Sequence, residues 1–162
     1  MQCDLEQVVR EHGDMVLRIA RSNVGNKADA EDIFQEVFIR LVRSIDKIND
    51  EEHLRYWLIR ATTNRCKSLF ASAQKRNELA VEQLPETASM SESPFDEPDT
   101  PATDALQKLP EKYRTAIYLF YFEDRSVKEI AKVLESSEGT VKSQLSRGRK
   151  MLKETLEKVQ DV

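Results

Sequence analysis

The residues best suited to chemistry with a partner lie between Ser126 and Lys153, in SVKEIAKVLESSEGTVKSQLSRGRKMLK. Lys142, Ser143, Ser146, Arg147 and Lys150 share one face of a helix, while Val141, Leu145 and Leu152 share another. Cations at that spacing meet phosphates, and short polar side chains near a helix N-terminus reach base edges. The chemistry indicated is therefore non-covalent recognition of DNA. Ser137 can cap this helix by accepting a backbone N–H near Thr140. Upstream, Ser126 with Glu129 reads as a capping box that opens a shorter helix striped by Ile130, Val133 and Leu134. Two helices joined by a short turn make a helix-turn-helix. A solvated helix with scattered Lys and Arg has the same composition, and spacing alone does not separate the two.

The totals bound what can position these residues. A chain of 162 residues, 40% hydrophobic and 33% charged, buries a modest core as one domain or two small ones. Its net charge of −4 argues against a uniformly basic nucleic-acid coat. The distribution says more. Arg55 to Arg76 contains six cations and no acid, and Leu79 to Asp104 contains seven acids and no base. Cys3 and Cys66 form no C-x-x-C pair, and His12 and His53 are the only histidines, so no spacing supports a metal site. No Gly-rich phosphate loop or nucleophile–base motif is present, so neither an enzyme nor a cofactor is expected. No apolar run reaches membrane-spanning length, so no membrane insertion and a cytoplasmic location are expected.

In order along the chain, Asp4 to about Val24 is expected as an amphipathic helix burying Leu5, Val8, Val9, Val16, Ile19 and Ala20. Gly25 ends it and Asn26 caps the next. The second helix, about Ala28 to Asp46, has a wide apolar face of Ile33, Phe34, Val37, Phe38, Leu41, Val42 and Ile45. A polar turn, KINDEEH (Lys47–His53), leads to a third helix over about Glu52 to Ala73. In that helix Trp57 is weighted towards the core, and Arg55, Arg60, Arg65 and Lys67 towards phosphates, because a cation run without acids gains affinity from counterion release. From Leu79 to Pro101 periodicity stops, and Pro85, Pro94, Pro98 and Pro101 forbid a continuous helix. A short helix over Thr103–Leu109 follows. Pro110 then opens another at its first position, with Tyr113, Ile117, Tyr118, Phe120 and Tyr121 packing against the helix-turn-helix. The last helix runs to about Lys158.

Two segments carry a family resemblance. DAEDIFQEVFIRL resembles region 2.2, and LPEKYRTAIYLFYFEDRSVKEIAKVLESSEGTVKSQLSRGRKML resembles region 4, of the extracytoplasmic-function (ECF) RNA polymerase sigma factors of the sigma-70 family. RYWLIRATTNRCKSLF resembles regions 2.3 and 2.4. The resemblance implies an all-α fold of two small domains: a region 2 three-helix bundle (1–78) and a region 4 helix-turn-helix domain (102–162), joined by a flexible acidic linker (79–101). It implies binding to core RNA polymerase through Asp32, Gln35, Glu36 and Phe38, docked on the clamp coiled coil of the largest subunit, with the flap as a further contact for region 4. Capture of a flipped base and melting at the −10 element fall by position to Ser44, Ile48, Arg55, Arg60, Ala61, Asn64 and Lys67. Reading of the −35 element falls to Thr140, Lys142, Ser143, Ser146, Arg147 and Lys150. An anti-sigma factor is a further implied partner.

The chain departs from the family at three places. The KINDEEH loop puts Asp50, Glu51 and Glu52 near DNA. Glu135 and Ser136 stand where glycine and an apolar residue are frequent, and a non-glycine there costs about 1 kcal/mol if φ is positive. Gln144 stands where Arg or Lys is frequent. The alternatives are a dimeric helix-turn-helix regulator that never touches polymerase, for which no heptad seam is present, and a sigma-like protein that occupies polymerase without initiating.

Overall fold

Polar caps divide the chain into helices. The computed structural model describes residues 4–79 and 105–160, and every regular element in them is helical. They are α1 (Leu5–Val24), α2 (Lys27–Ser44), a 3-10 turn (Ile45–Lys47), α3 (Glu51–Leu79), α4 (Glu111–Tyr121), α5 (Val127–Val133) and α6 (Glu138–Gln160), with a helical turn at 105–107 ahead of α4. The all-α class expected from the sequence is observed. Of the expected linker, 80–101 lies outside the described residues, as do Thr103 and Asp104 of the expected short helix.

Asp4 Oδ1 accepts the Glu6 N–H at 3.1 Å and starts α1. Gly25 ends it at φ 72°, its N–H donating to the Arg21 carbonyl at 3.2 Å, a left-handed position that suits a residue without Cβ. Asn26 Oδ1 at once accepts the Asp29 N–H at 2.9 Å, so only two residues separate α1 from α2. A connection that short makes the two helices neighbours. Val16, Ile19, Ile33, Val37, Leu41, Leu54, Leu58 and Ile59 then fill a three-helix core, all essentially inaccessible. Gly13 lets the Phe34 ring lie against α1, since a Cβ there would stand 3.3 Å from Phe34 Cε2.

The second module folds around Ile117, Leu119, Ile130, Val133, Val141 and Leu145, all buried. Ser126 Oγ caps α5 by accepting the Glu129 N–H at 3.1 Å. The Glu129 carboxylate turns to Arg125 (3.7 Å), so only one half of the expected capping box is seen. At the other end Ser136 N–H donates to the Ala131 carbonyl (2.9 Å) and Glu135 N–H to that of Lys132 (3.3 Å), with Glu135 at φ 54°. This is a Schellman turn with a glutamate at its left-handed position. Ser137 Oγ then accepts the Thr140 N–H at 3.1 Å and starts α6.

The two modules pack on one another, α1 against α4 and α3 against α5, and their buried side chains form one continuous cluster.

Several side chains sit elsewhere than periodicity implied. Leu5 is 41% exposed, because the first turn of α1 stands ahead of the bundle. Val42 is 53% exposed: the buried stripe of α2 runs through Ile33, Val37 and Leu41, and the next residue is turned about 100° from it. Tyr121, the last residue of α4, is likewise exposed. Helix α3 continues past Ala73 to Leu79, since AQKRNEL contains no breaker and several good helix formers. Pro110, with ψ 146°, is the N-cap of α4 and not its first helical residue.

Gly148 sets the distance between α4 and α6. A Cβ there would lie 2.8 Å from Ile117 Cγ1, and Ile117 is fully buried and cannot swing aside. Alanine gains about 1 kcal/mol in helix propensity but overpacks the core at a cost of about 1–3 kcal/mol. We therefore expect Gly148→Ala to lower the thermal midpoint by several degrees. An unchanged or raised midpoint in a calorimetric scan would show that the close approach is not limiting.

Candidate nucleic-acid interface

Helix α6 divides cleanly into two faces. Val141, Leu145 and Gly148 are buried, while Thr140, Lys142, Ser143, Ser146, Arg147 and Lys150 are all exposed. The Ser137 cap fixes the first turn, and free backbone N–H groups and the positive end of the helix dipole sit at the same end as the hydroxyls. Beside this face lies a recess lined by Lys112, Tyr113, Thr140, Ser143, Gln144 and Arg147. Arg147 beside the Tyr113 hydroxyl holds that phenol below its ordinary value, and Lys112 Nζ stands 5.0 Å from the Tyr113 ring. Lys112 and Tyr113 thus extend the cationic face onto the start of α4. Sequence reasoning assigned Tyr113 to the core because it shares a helical stripe with Ile117; the signal it left unused is Lys112 beside it.

In the first module the −10 candidates separate. Asn64 is exposed, and Ser44, Ala61 and Lys67 are half-buried. Arg55 is half-buried, and its Nε has no hydrogen-bond partner among the described residues. Ile48 is 1% exposed: it belongs to the core and does not line an open pocket. Arg60 is engaged by the Tyr56 hydroxyl at 3.0 Å and by Glu135 of the second module. Arg65 is held by Glu36. Trp57 is half-buried against the core.

The acids of KINDEEH have local partners. Asp50 Oδ1 accepts the His53 N–H at 2.7 Å and caps α3, and His53 Nδ1 accepts the Asn49 N–H at 3.2 Å. Glu51 lies 3.3 Å from His12 Nε2, tying the start of α3 to α1. With Glu11 these two form the one close group of metal-ligand types among the described residues, brought together from positions too far apart in sequence to suggest it.

On α2, Asp32 and Gln35 are exposed and Glu36 is half-buried around a depression that Ile39 and Leu69 also line. Ile39 and Val42 are each more than half exposed, an apolar centre within a polar rim. Phe38 turns the other way, 7% exposed with its ring 4.8 Å from that of Phe34, so it supports this face from beneath and is not part of the surface.

The Schellman turn ahead of α6 gives a direct test. Glu135→Gly and Glu135→Ala both remove the exposed pair with Arg60, so their difference isolates the backbone. Glycine should be the more stable by about 1 kcal/mol, the reverse of the order at an ordinary helical position. Equal midpoints in urea, or alanine ahead, would refute the left-handed assignment.

Comparison with known proteins agrees with this layout. Residues 8–76 match the model of sigma-70 region 2, and residues 101–152 that of sigma-70 region 4. The RNA polymerase sigma-E factor of Streptomyces avermitilis is 35% identical over 155 residues, covering 95% of this chain and 86% of that protein. The ECF RNA polymerase sigma factor SigE of Mycolicibacterium smegmatis is 34% identical over 162 residues, covering 94% of this chain and 62% of that longer protein. Among solved structures, the sigma factor RpoE in complex with the anti-sigma factor NepR from Bartonella quintana shares the fold, with a TM-score of 0.79 at 22% identity over 94% of this chain and 96% of that one. CnrH in complex with the cytosolic domain of CnrY gives 0.68 at 26% identity, over 94% and 87%. The chain belongs to the ECF sigma factors of the sigma-70 family, which bind RNA polymerase and direct promoter-specific initiation without catalysing bond chemistry themselves.

Proposed function

We propose that α6 reads the −35 element, α3 with its preceding loop opens the −10 element, and α2 docks on the clamp coiled coil of core polymerase. The observation that carries this reading is the division of α6 into a buried apolar face and an exposed stripe from Thr140 to Lys150, headed by the Ser137 cap. Ser143 and Arg147, near the helix N-terminus, are the base-reading candidates; Lys142 and Lys150 are phosphate contacts. On α2 the docking face is Asp32, Gln35 and Glu36 around Ile39. The exposed apolar groove of Tyr121, Phe122 and Leu152, flanked by Arg149 and Lys153, suits the flap as a second polymerase contact. In this reading polymerase forms the bonds and the chain supplies recognition. No described helix is long and apolar enough to cross a membrane, and the protein acts in the cytoplasm, where polymerase meets the chromosome. RpoE of Bartonella quintana, which shares the fold, is held by the anti-sigma factor NepR, which supports an anti-sigma factor for this chain also.

Run-off transcription with core polymerase and genomic fragments tests the whole. Discrete transcripts should require the protein and fall at least tenfold with Asp32→Ala combined with Ile39→Ser, a change that leaves the core untouched. Within the holoenzyme, Lys150→Ala should lower the salt-dependence slope by about 0.9 for every promoter alike, whereas Arg147→Ala should weaken binding by about 1–3 kcal/mol and relax one position of the −35 sequence. Neither transcripts nor retention of polymerase would return the chain to the ordinary helix-turn-helix regulators.

A further inference from the structure

Three side chains that promoter reading and polymerase docking leave unused converge where α1 meets the start of α3. His12 Nε2 lies 3.3 Å from Glu51 Oε2 and 4.0 Å from Glu11 Oε2, and the three ligand atoms all lie within 4.8 Å of one another. The imidazole is set into the surface, with 14% of its side chain exposed, and the two carboxylates beside it are far more open to solvent.

Charge is out of balance at this point. Two carboxylates meet one imidazole, so at least one negative charge remains even when the ring is protonated. No lysine or arginine among the described residues answers it: Arg10 pairs with Glu6 at 2.8 Å, and Glu11 and Glu51 have no cationic neighbour besides His12. Like charges gathered round one ring repel, and a divalent cation between them turns that repulsion into attraction.

The distances suit such an ion. Imidazole nitrogen and carboxylate oxygen bind four-coordinate zinc at about 2.0–2.2 Å, which sets neighbouring ligand atoms about 3.3–3.6 Å apart at a tetrahedral angle. The pair His12–Glu51 already has that spacing, and a rotation of the half-exposed Glu11 side chain brings its oxygen in from 4.0 Å. The supports are in place as well. Gln7 Nε2 donates to Glu11 Oε1 at 3.1 Å, the kind of outer bond that orients a ligating carboxylate and leaves its other oxygen for the metal. On α3 the Asp50 cap fixes the backbone that carries Glu51, and His53 Nδ1 is engaged by the Asn49 N–H.

We propose that Glu11, His12 and Glu51 bind a divalent first-row transition-metal ion, zinc being the best match, and that the ion fastens the start of α3 to α1. An imidazole among carboxylates selects ions of this class over magnesium and calcium, which take oxygen ligands. Three protein ligands leave a fourth position for water. The segment so steadied is Lys47–His53, the loop that the reading above assigns to the −10 element, but the metal site itself does not depend on that reading.

The test titrates the full chain, carrying Cys3→Ser and no affinity tag, with zinc chloride and with magnesium chloride as the control. One zinc ion per chain should bind in the micromolar range and raise the thermal midpoint by several degrees, and magnesium at the same concentration should do neither. His12→Ala and Glu51→Gln should each weaken zinc binding at least about tenfold and abolish the shift in midpoint, whereas His53→Ala should keep both. Glu51→Gln preserves size at an exposed position, so its loss of binding cannot be put down to misfolding. With zinc bound, hydrogen exchange at the Asn49 and His53 amides should slow severalfold in the parent and stay unchanged in Glu51→Gln. No saturable zinc binding by the parent, or binding that survives both substitutions, would overturn the site. An intense thiolate-to-metal band on substitution with cobalt(II) would place the ion at Cys66 and overturn it equally. Binding that leaves the two amides unaffected would overturn the fastening of α3.

Discussion

A glutamate side chain with 5% of its surface exposed must be answered by donors, and Glu123 is answered from both modules at once. Its partner Arg18 keeps 55% of its side-chain surface in water, so the pair is worth less than the 3–5 kcal/mol that breaking a fully buried pair costs. Its strength lies in geometry: a planar guanidinium meeting a carboxylate through two bonds fixes direction as well as distance. The Tyr118 hydroxyl completes the carboxylate's needs, and burial with the neighbouring charge of Glu123 raises that phenol, so it remains a neutral donor. Around this point α4 is oriented on α1, and with it the helix-turn-helix that α4 supports.

The same economy of charge appears at the functional surfaces. Glu36 of α2 and Arg65 of α3 neutralise one another, and Arg60 is drawn off by Glu135. Both pairs are partly exposed, so each contributes little to stability.

Local rules made much of the fold legible. Asn26, Ser126 and Ser137 cap the helices that their side chains predict, because a cap is settled within three residues. The glutamate at position 135 stands in a left-handed turn, as the frequency of glycine there implied. The outward turn of Val42 and the inward turn of Phe38 were not legible, since a wide apolar stripe does not say which edge meets the core. Nor were the partners of Arg60 and Arg65: a cation run without acids looks free until acids from other helices are folded against it. The polar contacts between the modules were invisible for the same reason. Arg18, Asn23, Arg114 and Glu123 belong to no periodic pattern, and contacts across some ninety residues leave no local trace.

The covalent arrangement favours contact between the modules. Two modules on one chain meet at a high effective concentration, so a contact too weak to join separate molecules can still form. About 25 residues separate Leu79 from Ala105, and a chain of that length can reach at most about 80–90 Å. That limit is comparable to the separation of elements centred at −35 and −10, about 85 Å of B-DNA at 3.4 Å per step. The joining segment is thus long enough for the modules to part as far as the two elements require, and short enough that they meet again when released.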